Sequence, residues 1–445
     1  MAKTFLGGVH PPEQKITAKR PVELIELPDK FYYSTRMHIG APCEPVVKVG
    51  DLVKKGQVIA ATEAFVSANI HASTSGKVTA IESFAHPVFG TCQTVIVEAD
   101  QADEWLSGLP LAKPRDWEAL SPAEITAIIR SAGIVGMGGA TFPTHVKTTV
   151  PAGKCIEYFI LNGAECEPYL TSDHRLMLDE PESIIRGMRI GMKAVGATKG
   201  IIGIERNKPD AIAALAKAAT GTGIEIVPLK VKYPQGAEKT LIQVVTGKEV
   251  PSGGLPSDVG VLVQNVATAM AVSDAVVEGI PLIARYATVS GGAVREPKNI
   301  LVLTGMLFSH IFEQCGGFIE KPGKILLGGP MMGIAQQTAD VPVIKGTSGI
   351  LALTVQESCE QPERSCIRCG KCVSACPMGL VPSILSILGE RGDFQTAKEE
   401  YNLLDCVECG SCVYVCPAKR NIVQYVRLQK HLNTQQALRA TQARQ

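Results

Sequence analysis

Fourteen cysteines occur in 445 residues, and eight of them fall between Cys366 and Cys416. They form two runs of one spacing, Cys366-x2-Cys369-x2-Cys372-x3-Cys376-Pro377 and Cys406-x2-Cys409-x2-Cys412-x3-Cys416-Pro417. In a short secreted chain such density points to disulfides. This chain is long, however, and Met1 to His10 lacks the charged-then-apolar profile of an export signal. Thiolates gathered to bind metal are the better reading. Structural zinc sites also use C-x2-C pairs, but they close with four ligands. They have no use for a third thiol two residues on and a fourth three beyond, twice over. The spacing predicts two [4Fe–4S] clusters, each a one-electron carrier. The other six cysteines (Cys43, Cys92, Cys155, Cys166, Cys315, Cys359) show no ligand spacing and read as small buried hydrophobes.

Each run has the spacing of bacterial ferredoxins, in which the fourth thiolate of one run serves the other cube. Cluster 1 is therefore expected on Cys366, Cys369, Cys372 and Cys416, and cluster 2 on Cys406, Cys409, Cys412 and Cys376. Pro377 and Pro417 turn the chain away and make that exchange sterically possible. The 29 residues between Cys376 and Cys406 exceed the linker of minimal ferredoxins. They carry helical patterns near 382–389 and 394–403, which predicts an α-helical variant of the two-cluster module.

A second constellation is rich in glycine. The stretch Gly133-Ile134-Val135-Gly136-Met137-Gly138-Gly139-Ala140-Thr141-Phe142-Pro143-Thr144-His145-Val146-Lys147 follows a helix, not the strand that a dinucleotide fingerprint requires. Its backbone still admits a phosphate or flat ring at close range, with Lys147 as charge partner. His145 is the one histidine worth marking, since no H-x3-H or H-E-x2-H pattern occurs. Further on, Asn162-Gly163-Ala164-Glu165-Cys166-Glu167-Pro168 follows a strand-like run at 158–161. That places polar and acidic groups at a strand's carboxyl end, where open α/β sheets bind ligands. From residue types alone a nucleotide site stays open against solvated surface roles for these side chains.

The elements that must position these groups fall into consecutive units. Residues 20–100 are rich in Val, Ile, Gly and Pro and read as short strands with tight turns. Val49-Gly50-Asp51-Leu52-Val53-Lys54-Lys55-Gly56-Gln57 and Ser75-Gly76-Lys77-Val78 resemble the barrel-sandwich folds of biotinyl and lipoyl carriers. The tip that carries a modified lysine in those carriers is Glu63–Ala68 here and has none, so a structural or docking role is expected. A linker at 101–118 is followed by a capping box, Ser121 with Glu124, and Pro122 at the first helical position. From 119 to 285, apolar runs at 158–161, 200–204 and 224–229 alternate with helical stretches such as 209–219, the pattern of a parallel α/β layer. A small unit of strands with one helix spans 286–354, the cysteine module 358–429, and a polar tail, expected to fray, 430–445. The fold class is multidomain α/β. With 44 Lys+Arg against 43 Asp+Glu there is no general field for nucleic acid. No apolar run approaches the roughly 20 residues of a membrane span. A cytoplasmic chain is expected, held at a membrane, if at all, by other subunits.

Four blocks then occur in one order: the glycine stretch, Asn162 to Pro168, Tyr233-Pro234-Gln235-Gly236-Ala237-Glu238-Lys239-Thr240-Leu241, and Gln264-Asn265-Val266-Ala267-Thr268. Together they resemble the flavin- and NADH-binding subunit family of respiratory complex I, and 286–354 is similar to its soluble-ligand-binding β-grasp domain. With two clusters, Gly7-Gly8-Val9-His10-Pro11-Pro12, His38-Ile39-Gly40-Ala41-Pro42 and the barrel-sandwich segment, residues 3–425 resemble the C subunits of Rnf-type ferredoxin:NAD electron-transport complexes. The resemblance implies FMN against Gly136, Gly138 and Lys147, with Asn162, Glu165, Gln264, Asn265 and Thr268 completing its pocket. It implies Glu167 and Glu238 on the nicotinamide side of NAD(H), with Glu205 a further candidate. Three positions depart from the family: an arginine is replaced by Met137, an acidic residue by Ala164 and a glutamate by Ala237. The implied function is electron exchange between NAD(H), at FMN, and ferredoxin, through the clusters. Integral membrane partner subunits would couple it to Na+ or H+ export at the cytoplasmic face. Rival readings are a flavin-free wiring subunit and a cobalamin reductase of similar parts, in which the barrel-sandwich unit follows the flavin domain.

Overall fold

The computed structural model describes residues 3–358 and 361–442, with side chains as far as Thr434; Cys359 lies outside the described residues. Four parallel strands form the central sheet, in the order Ile224–Leu229, Lys199–Glu205, Tyr158–Gly163, Val261–Asn265. Their near-continuous β-branched runs suit a sheet covered on both faces. Phe159, Leu161, Ile202 and Ile204 point into a core shared with the helices Pro122–Ser131, Pro181–Val195 and Val266–Ser273. Ile160, Ile201 and Val227 point the other way, onto the helix Glu238–Thr246. The capping box of Ser121 and Glu124 is formed, with the Glu124 carboxylate accepting from Ser121 N at 2.7 Å. Pro181–Val195 buries Ile184, Ile185, Met188, Gly191 and Ala194, an apolar stripe of helical period. At Gly187 a side chain would meet Ala269 O at 1.8 Å, so only glycine lets this helix approach Val266–Ser273 so closely.

Two sheets form the N-terminal barrel-sandwich unit. One holds Lys30–Ser34, Gly90–Ala99, Gly76–His86 and Leu52–Val53, the other Glu44–Pro45, Val58–Ala61 and Ile70–His71. A six-stranded mixed sheet follows the α/β unit in the chain, with Ala284–Ser290, Lys298–Leu303 and Gly349–Leu353 at its centre and the helix Phe308–Gln314 packed on it. One of its two edge strands is Val22–Leu24, which the sequence groups with the first unit. The Asn299 amide explains the placement: it donates to Thr17 O and Arg20 O and docks the preceding segment on that edge. Phe31, Tyr33, Val78 and Val97 share one apolar core with Val289, Ile300, Phe308 and Ile350, so the first and third units are fused through their interiors.

The cysteine module consists of the short helices Lys371–Ala375, Pro382–Arg391, Phe394–Glu399 and Ser411–Tyr414 and the long helix Ile422–Gln442. The tail expected to fray is instead helical through Gln442. The 21-residue run contains no Gly or Pro and is rich in Gln, Leu, Arg and Ala, which favour a helix. It is anchored by buried Ile422, Val423, Val426 and Gln429. Among the described residues no helix is long and apolar enough to cross a membrane.

Candidate functional site

In the central sheet the first strand, Tyr158–Gly163, lies between its successor Lys199–Glu205 and the last strand, Val261–Asn265. Chain connections therefore diverge from the carboxyl ends of two neighbouring strands, the switch point where open α/β sheets hold ligands. Asn162 and Asn265 are register partners at that point. Asn162 donates to Gly236 O at 2.8 Å and accepts from Ala164 N at 3.1 Å, pinning the 233–237 loop over the strand end. Asn265 caps the helix Val266–Ser273 through Ala267 N at 2.8 Å and donates to the Asp173 carboxylate at 2.7 Å. The glycine loop arrives from above: Met137 N donates to the buried Thr268 hydroxyl at 2.9 Å, and a side chain at Gly138 would collide with Asn265 at 2.7–2.9 Å.

Gly136, Gly138, Asn162, Asn265 and Thr268 are thus brought to one place. Glu165 joins them indirectly. Held at φ 47°, it turns its carboxylate to the N-terminus of the helix Ser172–Asp179 and accepts from Asp173 N at 2.7 Å and His174 N at 3.2 Å. Its partner Asp173 is raised to about 6 by burial and by the Glu165 charge. The Met137 side chain packs into the core. Positive charge comes to this loop from elsewhere: the buried Arg285 guanidinium donates to Met137 O at 3.3 Å and Lys345 O at 2.8 Å. Lys345, also buried, donates to Gly133 O and Asn69 O and is lowered to about 7 by burial.

The three other glutamates lie in different surroundings. Glu238, at the start of its helix and half-exposed, pairs with Lys147 at 3.1 Å; Lys147 also donates to Val263 O at 3.1 Å, so it is not a solvated lysine. Glu205 is buried, 3.5 Å from Lys208, and accepts from Lys232 N at 3.1 Å. Burial raises its carboxyl above the ordinary range. Glu167 accepts from Met331 N at 3.0 Å and Met332 N at 2.8 Å, and burial raises it to about 7. Glu167 and Glu238 are thus held by separate elements. Lys15, with no motif of its own, reaches the main-chain oxygens of Glu165, Glu167 and Leu170 and ties an N-terminal strap over this loop.

An orphaned buried polar atom costs about 1–3 kcal/mol. Five occur on the segments that carry the site: Gln264 Nε2, both polar side-chain atoms of Gln235, the Thr144 hydroxyl and His145 Nδ1. Together with the open glycine loop and the Lys147 ammonium, they form a donor-rich set that fits a polar planar ring with a phosphate. Gln235 and Tyr233 belong to one of the four sequence blocks, yet nothing in their local pattern marks a role; Asp173, Arg285 and Lys15 carry no local signal at all.

The cysteines of the expected cluster 2 converge. Cys376, Cys406, Cys409 and Cys412 line one apolar cavity, closed by Leu380, Leu385, Ile422 and Val426. This set includes the exchanged thiol from the first run. Burial raises the Cys406 thiol to about 11 and also pushes Cys412 up, so both favour the neutral form until a cation binds them. For cluster 1, Cys372 sits on Lys371–Ala375 and is buried, Cys416 follows Ser411–Tyr414, and Cys366 and Cys369 lie on the preceding loop. The cysteine module meets the α/β unit at Tyr233, whose hydroxyl donates to Cys409 O at 2.6 Å, and at Asp405, which pairs with Lys239 at 3.4 Å; Gly8 N, from the N-terminal segment, donates to Ala375 O at 2.8 Å.

Four family models match in chain order: the RnfC barrel sandwich hybrid domain at 3–102, the Nuo51 FMN-binding domain at 129–274, the SLBB domain at 286–335 and the 4Fe-4S dicluster domain at 365–420. The barrel-sandwich unit comes first, as expected of the Rnf-type build. The cofactor set is FMN and [4Fe–4S] clusters. A chain of an NAD+-reducing [NiFe]-hydrogenase in the H2-reduced state shares the fold over 69% of this chain and 63% of its own, with TM-score 0.50 and 21% identity. The C subunit of a proton-translocating ferredoxin:NAD(+) oxidoreductase complex from Clostridium ljungdahlii is 59% identical over 97% of this chain and 94% of its own. Its Na(+)-translocating counterpart from Acetobacterium woodii is 47% identical over 96% of each chain. The C subunit of an ion-translocating oxidoreductase complex from Rhodobacter capsulatus is 46% identical over 88% of this chain and 76% of its own. The order of domains, the shared cavity of exchanged thiols and identity over nearly the whole length lead to one conclusion: the chain belongs to the family of C subunits of Rnf-type ion-translocating oxidoreductase complexes.

Proposed function

We propose that this protein exchanges hydride with NAD(H) on one side and single electrons with partner subunits on the other. It would lie peripherally at the cytoplasmic face of a membrane complex that draws on ferredoxin and moves Na+ or H+. FMN, when bound, supplies the conversion between hydride and single electrons, and each cluster carries one electron at a time. Gly136 and Gly138 would let the ring and phosphate reach the loop backbone, and Lys147 would meet the phosphate charge. Asn162, Asn265 and Thr268 would fix the ring through bonds already in place, and Gln264 and Gln235 would gain the partners they lack. Glu238 and Glu167 would border the nicotinamide, Glu238 from solvent and Glu167 from beneath the 328–333 hairpin, with Glu205 on the strap side. Glu165 acts at one remove, by capping the helix that presents Asp173 to Asn265.

The observation that carries this reading is the junction of Tyr233 with Cys409, where the α/β unit touches the wall of the cluster 2 cavity. The test is anaerobic purification, quantitation of flavin, iron and sulfide, and addition of NADH. Flavin released by acid and bleaching of both flavin and cluster absorbance by NADH are expected. A chain with clusters but no flavin would leave the wiring role and refute the rest.

A further inference from the structure

The two cysteine runs are repeats offset by 40 positions, yet their surroundings are opposite. In the second run Cys409, Gly410 and Ser411 are buried, and a side chain at Gly410 would strike Met331 O at 2.7 Å. Glu408 is tied to Arg427 at 3.0 Å and Lys430 at 2.8 Å. At the matching places of the first run, Ile367, Arg368, Cys369, Gly370 and Lys371 are all exposed. Arg368 and Glu408 share one left-handed backbone, φ 56° and 55°, so the chain path is the same and only charge and cover differ.

The exposed run is basic. Arg364, Arg368 and Lys371 are followed by no acidic residue before Cys376. Lys419, three residues past Cys416, belongs to the same face, because Arg364 N donates to Ala418 O at 2.9 Å. None of the four makes an ion pair among the described residues, all are exposed, and Ile367 stands among them 66% exposed. Four like charges gathered in a chain of net charge +1 form a local field, and such fields steer oppositely charged partners.

We propose that the cube of Cys366, Cys369, Cys372 and Cys416 is the outer electron port, and that Arg364, Arg368, Lys371 and Lys419 around Ile367 dock the acidic face of a one-electron carrier subunit of the same complex. The other cube, against Tyr233 and Gly8, is the inner one. This rests on the functional reading above. Each encounter moves one electron between the outer cube and the carrier. Two encounters therefore match the two electrons of one NADH, which leaves as NAD+ and a proton.

The test uses the full chain with flavin and clusters in place. Its binding to the detergent-solubilised complex assembled without this protein is measured over a range of salt. Wild type is compared with R368E/K371E and with K217E/K321E, an equal charge change at exposed lysines elsewhere. R368E/K371E should weaken binding about tenfold or more at low salt and flatten its salt dependence, while K217E/K321E should not. Reduction of anionic ferricyanide should slow in R368E/K371E, and that of cationic hexaammineruthenium(III) should quicken, with NADH-driven flavin bleaching equal in all three. Should the reversal lose iron, R368Q/K371Q decides with half the charge change. Equal effects of the two double variants, or none, would overturn the proposal. So would charge-dependent binding to anionic lipid vesicles with none to the complex. Failure of NADH to bleach flavin in the wild type would overturn the functional reading instead, and is seen before docking is measured.

Discussion

Replacing Gly138 by alanine should break the junction of loop and sheet, whereas the same change at the next glycine should be harmless. Neither residue has a positive φ, so alanine fits both backbones. The added Cβ at Gly138 would lie 2.7 Å from Asn265 Nδ2 and 2.8 Å from its Cβ, whereas at Gly139 it meets nothing within 4 Å. Asn265 must then swing away and lose two bonds. The N-cap to Ala267 N is worth about 1 kcal/mol. Leaving the buried Asp173 carboxylate without its donor costs about 1–3 kcal/mol more. The sum, about 2–4 kcal/mol, corresponds to a melting shift of roughly 4–16 °C for a unit of this size. Thermal unfolding followed by flavin release, with flavin retention through desalting, reads both consequences. G138A should melt lower and shed flavin, and G139A should match wild type. Indistinguishable G138A and G139A would refute the placement of the loop on Asn265.

The exchanged ligands predict crossed losses. C376A should abolish the cube of the second run and spare that of the first, and C416A the reverse, read by iron content and electron paramagnetic resonance of the reduced chain. Glu167 is raised to about 7, so the stability it confers is full below the unfolded value near 4.5 and is lost as pH rises through 7. The gap is worth on the order of 3 kcal/mol. E167Q should therefore gain on wild type between pH 5 and pH 8 in urea unfolding; a constant difference would show that the carboxyl is ordinary. Y233F removes the hydroxyl that bonds Cys409 O and should loosen the cysteine module by about 1 kcal/mol. Faster hydrogen exchange in 404–416, with the central sheet unchanged, is the expected signature.

Much of this is legible in the chain because repetition and periodicity are local. The eight cysteines announce their own partition, including the exchange that brings Cys376 beside Cys406, Cys409 and Cys412. Alternating apolar runs announce the parallel sheet, and Asn162 is legible as the residue after one of them, whereas Asn265 is reached only through the family resemblance. Long-range choices are not legible. Val22–Leu24 joins a strand nearly 280 residues away, held by one asparagine amide that no pattern marks. Lys15 and Arg285 act through backbone oxygens brought near only by folding. The tail misleads because its polarity suggests disorder, although nothing in Ile422–Gln442 breaks a helix.

The bond from Gly8 to Ala375 has a consequence for biogenesis. A ribosome emits residues in order at roughly 5–20 per second, and domains fold as they emerge. The segment that bonds the chain beside Cys376 therefore waits, already synthesised, until nearly the whole polypeptide has been made. Iron delivery to the cluster 2 cavity must then be a late event in maturation, and a chain stalled before its second cysteine run would present an unfilled docking edge to quality control.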